Sequence, residues 1–148
     1  MSESKIVSAS REISAPADVV FELIADPARQ PEWDGNDNLA SSDSPRVTRA
    51  GDVFVTTLTN DGAVRENHVV EFDEGRLVAW RPSPVGEPQP GHAWRWEIEP
   101  LSETSCRVTH TYDWTDLTDE ARFERARNTT PDKLRASIDR LAELATRQ

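Results

Sequence analysis

The sequence predicts an α+β domain in which a curved antiparallel sheet closes on a long C-terminal helix. Three observations carry this: successive strand-like segments run from Val53 to Trp114, one amphipathic helical pattern ends the chain, and five tryptophans supply large apolar area to a core that is otherwise thin. At 148 residues the chain is expected to form one domain, 1–148, burying roughly 70% of the surface its unfolded chain would expose.

Each element has a local cause. A first strand ends near Ile13, and Pro16 then suits the first turn of a helix, where its missing N–H costs nothing; Asp18 complements the positive helix end. Val19, Val20, Phe21, Leu23 and Ile24 form a broad apolar face, and Pro27 disfavours helical geometry at Asp26, which ends the helix. A second short helix carries Trp33, readable as a core plug or as a ligand wall near a cavity mouth. Residues 35–52 are polar and turn-rich, with one short edge strand expected around Arg46–Arg49.

From Val53 the chain becomes β-rich. Val53–Thr59 and Val64–Phe72 flank Asn60-Asp61-Gly62, a hairpin turn sequence, and Asp73-Glu74-Gly75 leads into a third strand, Leu77–Arg81. Residues 82–91 hold four prolines and two glycines, so they form an extended loop, either a stiff spacer or a lip over a cavity entrance. His92–Glu99 and Ser105–Trp114 are the last two strands. Thr118–Phe123 opens a short helix that Asn128-Thr129 interrupts. Thr130 as N-cap, Pro131 and Asp132 start the final helix, whose Leu134, Ile138, Leu141, Ala142 and Ala145 share one face.

Period two assigns the inward faces. His92, Trp94, Trp96 and Ile98 share one face of their strand, and Cys106, Val108, His110, Tyr112 and Trp114 share one face of theirs. Between Val64 and Phe72 the more apolar set includes Glu66 and His68, which this phase turns inward; Trp80 is a further wall candidate. His110 and Tyr112, joined by Glu66 and His68, then project into a tryptophan-lined space. A histidine of near-neutral pKa can move protons and a tyrosine hydroxyl can donate to a carbonyl gaining charge, which suits cyclisation, dehydration or enolisation. The same polar tips can equally satisfy neighbouring groups or orient a ligand without chemistry.

Composition excludes several classes. The formal charge of −10 argues against nucleic-acid binding and against a polybasic membrane anchor, and no apolar run approaches the ~18 residues of a membrane span. A single cysteine, Cys106, and a polar start without a basic-then-apolar layout make a cytoplasmic protein the expectation. The three histidines lie on separate strands, with no metal-binding spacing, P-loop or Gly-x-Gly-x-x-Gly, so neither metal nor cofactor is expected.

Ile13-Ser-Ala-Pro-Ala-Asp-Val-Val-Phe, Ala25-Asp26-Pro27 followed by Pro31-Glu32-Trp33-Asp34, and Cys106-Arg-Val-Thr-His-Thr-Tyr-Asp-Trp114 together resemble the START-like, or SRPBCC, superfamily, in its polyketide cyclase/dehydrase branch. The resemblance implies a helix-grip fold of about seven strands wrapped on the last helix, with two short helices after the first strand and a cavity between sheet and helix. It implies a small hydrophobic or amphipathic ligand such as a lipid, polyketide or aromatic metabolite; the periodicities above make Trp33, Glu66, His68, Trp80, Trp94, Trp96, His110, Tyr112, Leu134 and Ile138 the expected contacts, and a monomer or homodimer is expected. Two alternatives stay open: a cofactor-independent cyclase or dehydratase using His110 and Tyr112, and an interaction domain like the Hsp90-ATPase activators.

Overall fold

The computed structural model describes residues 5–34, 39–41, 44–59 and 62–146; Asn60 and Asp61 of the expected hairpin turn lie outside the described residues. Strand β1 (Ile6–Ile13) is followed by helices α1 (Ala17–Ala25) and α2 (Gln30–Trp33), then by strands β2 (Leu39–Ser41), β3 (Val53–Leu58), β4 (Val64–Asp73), β5 (Leu77–Pro84), β6 (Ala93–Ser102) and β7 (Ser105–Asp113), and last by helices α3 (Phe123–Arg127) and α4 (Pro131–Thr146). Single 3₁₀ turns at Pro27–Arg29 and Glu120–Arg122 lead into α2 and α3.

All seven strands form one antiparallel sheet in the order β1-β7-β6-β5-β4-β3-β2. The first strand therefore lies beside the last, from Ile6 opposite Asp113 to Ile13 opposite Cys106. Helix α4 packs across β1 and β7 and meets α1 and α2, so the helix-grip arrangement of about seven strands holds. Ile13, Val20, Phe21, Ile24, Ile138 and Leu141 fill the core between them.

Asp26 ends α1 as expected, in extended geometry ahead of Pro27, and its carboxylate accepts from the Ala28 N–H at 3.1 Å to start the next turn. Pro16 stands one residue earlier than expected, at the N-cap. Trp33 is buried and its indole N–H donates to the Leu23 carbonyl at 2.7 Å, which fastens α2 back onto α1.

Three expectations are corrected. The edge strand is Leu39–Ser41, not Arg46–Arg49. Arg46 instead forms a clamp, donating from Nε to Glu22 of α1 at 3.1 Å and from Nη2 to Glu74 at 2.7 Å, and this holds the segment outside the sheet. Strand β5 runs through Pro82 and Pro84, which lie opposite Asn67 and Arg65 of β4. Prolines are tolerated there because β6 pairs with β5 only as far as Trp80, so beyond it that side of β5 asks for no N–H donor. In β4 the inward residues are Arg65, Asn67 and Val69, not Glu66 and His68. The apolar Val70 and Phe72 suggested the opposite phase, but Val70 is the extra residue of a β-bulge between Val69 and Glu71; beyond it Phe72 turns inward onto Phe21, with ring centroids 5.8 Å apart.

The proline-rich loop is fixed at its far end. Gly91 has φ of +122°, and a Cβ there would stand 2.1 Å from the Asp116 carbonyl oxygen. Gly86 also has positive φ, +75°, but open space around it. Gly91→Ala is expected to cost more than about 2 kcal/mol, combining backbone strain with displacement of the Asp116 peptide, and Gly86→Ala about 1 kcal/mol. Urea denaturation of the two variants checks this; equal losses would contradict the close packing of Gly91.

Candidate ligand-binding cavity

A cavity of about 750 Å³ lies between the concave face of the sheet and the first half of α4. Cavities of this size hold drug-sized molecules. Trp33, Trp80, Trp94 and Trp96 form much of its wall, with His110 and Tyr112 on β7. The strong alternation of β6 and β7 places these groups: Trp96 opposes His110 and Trp94 opposes Tyr112 in the ladder, so same-face neighbours meet as pairs. Trp96 stacks on His110 with centroids 3.7 Å apart and planes 11° from parallel. Trp33 meets Trp96 edge-on at 5.1 Å, and Phe54 meets Trp80 the same way at 5.1 Å.

The sequence-predicted set divides. Trp33, Trp80, Trp94, Trp96, His110 and Tyr112 come together on the cavity wall. Glu66 and His68 lie on the outer face of the sheet, where Glu66 accepts from the Gly86 N–H at 3.0 Å and His68 Nε2 lies 3.0 Å from Ser83 Oγ. Leu134 and Ile138 are fully buried in the packing beneath the cavity and do not line it. The face α4 turns to the cavity is instead Lys133 and Ser137, one helical turn apart.

Polar wall residues escaped the apolar pattern. Asn67 is buried and donates from Nδ2 to the Phe54 carbonyl and to Thr56 Oγ1, both at 3.1 Å, so β3 and β4 carry a satisfied polar patch inside. Gln30 donates to the Ile24 carbonyl at 3.3 Å, and the carbonyl of Asp34 accepts from Arg140 of α4 at 2.9 Å. A mid-strand asparagine in the odd phase of β4 was the one available sequence signal. The expected mouth also moves. Trp33 is 4% exposed, whereas the exposed lining residues, Ala121, Glu124, Arg125, Asn128 and Lys133, all fall between residues 121 and 133. The rim is thus the 3₁₀–α3 segment and the start of α4. Ala126 and Phe123 anchor that segment against Trp114 and Leu134.

Burial dominates the electrostatics. It pushes His110 down to about 3, against a backbone hydrogen bond at Leu134 that acts in the other direction, and Nδ1 of His110 has no partner among the described residues. His92 is lowered to about 4, first by burial and then by the charges of Arg122, Arg125, Arg65 and Arg81. Tyr112 is pushed up to about 12 by burial, with Arg125 and Arg122 opposing. At neutral pH the cavity therefore presents neutral imidazoles and a protonated phenol. These can orient a ligand by hydrogen bonds; a base of pKa near 3 abstracts protons poorly. Among the described residues no cluster of His, Cys, Asp and Glu is placed to hold a metal ion.

The model of the "Polyketide cyclase / dehydrase and lipid transport" family matches residues 4–146. An uncharacterized protein of Mycobacterium tuberculosis H37Rv is 36% identical over 111 residues, covering 73% of this chain and 47% of that protein, so the chain spans about half the length of the curated relative. A START superfamily protein of Mycobacterium smegmatis superposes with a TM-score of 0.69 at 14% identity, covering 97% of this chain and 99% of the other. A norcoclaurine synthase point mutant from Thalictrum gives 0.61 at 15% identity with 97% and 94% covered, and the Aha1 dimer of Colwellia psychrerythraea 0.66 at 13% with 95% of each covered. At these identities the structural likeness is one of fold.

The depressed histidines set a pH dependence. Above about pH 6.5 they are neutral folded and unfolded alike and add none; below it the unfolded chain takes up protons that the folded chain refuses, so stability falls as pH falls toward the folded values of about 4 and about 3. Glu22 and Asp52, lowered mainly by hydrogen bonds to Arg46 and to the Thr48 N–H, act only below the ordinary carboxylate range. Between pH 6.5 and 5, His110→Gln is expected to remove about 2 kcal/mol of the wild-type loss of stability. Denaturant midpoints across that window test this, and an unchanged slope in the variant would show that His110 is not held neutral.

Proposed function

The chain belongs to the polyketide cyclase / dehydrase and lipid transport family, and we propose that it binds a small hydrophobic or amphipathic molecule in the cavity between sheet and α4. The observation that carries this is the wall itself, four tryptophans and a tyrosine around some 750 Å³ with a few polar groups set among them. An aromatic wall offers apolar contact area at little side-chain entropy cost, and isolated polar groups fix orientation. A lipid, a polyketide or an aromatic metabolite meets that description.

Binding ranks ahead of catalysis in this reading because His110, the natural acid–base candidate, stays neutral down to about pH 3. Residues 1–148 act as one ligand-binding domain, working in the cytoplasm as a monomer or homodimer. No helix among the described residues is long and apolar enough to cross a membrane.

N-phenyl-1-naphthylamine, a neutral apolar fluorophore, provides the test. Saturable uptake with a stoichiometry near one, accompanied by energy transfer from tryptophan, is expected. Ala121→Trp, at an exposed position on the rim, is expected to weaken it by narrowing the entrance. Absence of saturable uptake by the wild-type protein would refute the proposal.

A further inference from the structure

The cavity mouth carries a charge that the rest of the protein does not. The chain has 27 acidic residues against 17 basic ones, yet Arg65, Arg122, Arg125 and Lys133 all line this one cavity. They come from four separate places, β4, the 3₁₀ turn, α3 and α4, so helical periodicity along one element does not explain the gathering. The cavity-lining carboxylates are Glu124 and Asp34, and Asp34 is buried on the α2 side.

Several arginines elsewhere are paired, Arg46 with Glu22 and Glu74, Arg81 with Asp116, Arg95 with Glu71 and Arg107 with Glu12, and within the cavity set Arg122 pairs with Asp119. Among the described residues Arg65, Arg125 and Lys133 form no ion pair. In a chain with carboxylates in excess, unpaired cations lining one cavity are a feature that a bound anion explains.

The field is also directional. Charge from Arg122, Arg125 and Arg65, and from Arg81 outside the lining, reaches His92, and charge from Arg125 and Arg122 reaches Tyr112, while at His110 burial dominates and no cation contributes. The cations thus act on the His92 and Tyr112 part of the cavity and not on the Trp96–His110 pair. His92 is itself among the residues that line the cavity, and its Nδ1 is buried with no partner among the described residues.

We propose that the ligand is an anionic amphipath, a carboxylate or a phosphate monoester, whose charged head sits among Arg65, Arg122, Arg125 and Lys133 and whose apolar body lies against the tryptophans. This deepens the ligand-binding reading and rests on it. Arginine forks match both oxyanions through paired N–H donors, and charge-assisted hydrogen bonds at a partly closed mouth are stronger than the same contacts on an open surface.

The experiment displaces bound N-phenyl-1-naphthylamine with decanoate, decyl phosphate and decanol, which share one chain and differ in the head. At low salt at least one anion is expected to compete about tenfold better than the alcohol, an advantage that added salt reduces. The ratio between decanoate and decyl phosphate tells which oxyanion the site takes. In the doubly substituted Arg65→Gln/Arg125→Gln protein the anion-to-alcohol ratio is expected to approach one; a ratio is insensitive to any general loss of folded protein. An alcohol that competes as well as both anions, or a preference that survives the double substitution, overturns the inference. If the naphthylamine is never taken up, it is the underlying binding reading that fails, so the two failures are distinguishable.

Discussion

The face-to-face contact of Trp96 with His110 is the interaction on which the arrangement turns. It joins β6 to β7 on the concave side, and Trp33 closes over it edge-on, so the helices after β1, the last two strands and the neighbourhood of α4 meet at one aromatic cluster. Such contacts add about 0.5–1.5 kcal/mol per pair beyond area burial. Their larger effect here is geometric. The indole N–H of Trp33 is committed to Leu23, which fixes α2 as a permanent side wall, and the entrance is left to the 3₁₀–α3 segment opposite.

The same cluster accounts for the chemistry of the site. A histidine pressed flat against an indole and removed from water stays uncharged at neutral pH. An apolar body can therefore lie against the Trp96–His110 pair, while Arg122, Arg125 and Lys133 stand at the rim. The bulge at Val70 contributes to this separation. It lets β4 present Arg65 and Asn67 to the cavity and, further along, Val69 and Phe72 to the core.

Much of the fold was legible because its signals are local. Pro27 after Asp26, Thr130-Pro131-Asp132, and the period-two pattern of β6 and β7 each specify geometry by short-range sterics or capping, and the inward faces of β6 and β7 follow from them. What escaped depends on nonlocal pairing. Nothing in Val64–Phe72 marks Val70 as an inserted residue, so counting apolar side chains selected the wrong face and brought Glu66 and His68 inward. Arg46 looked like part of a strand because its clamp partners, Glu22 and Glu74, are distant in sequence. Leu134 and Ile138 are the apolar face of α4, but an amphipathic helix turns its most apolar residues to the core, and the cavity takes the flanking Lys133 and Ser137. The cationic rim was hidden for the same reason, since its members are scattered from Arg65 to Lys133 and only the fold assembles them.

On the ligand-binding proposal the space between sheet and α4 is a compartment for a ligand and not a defect of packing. Native mass spectrometry of the freshly purified protein tests it most directly. A population heavier than the bare chain by one small molecule is expected, released on denaturation and identifiable as an acid with an apolar body. A protein that shows only the mass of the bare chain, and gains none after incubation with decanoate, decyl phosphate or N-phenyl-1-naphthylamine, would contradict it.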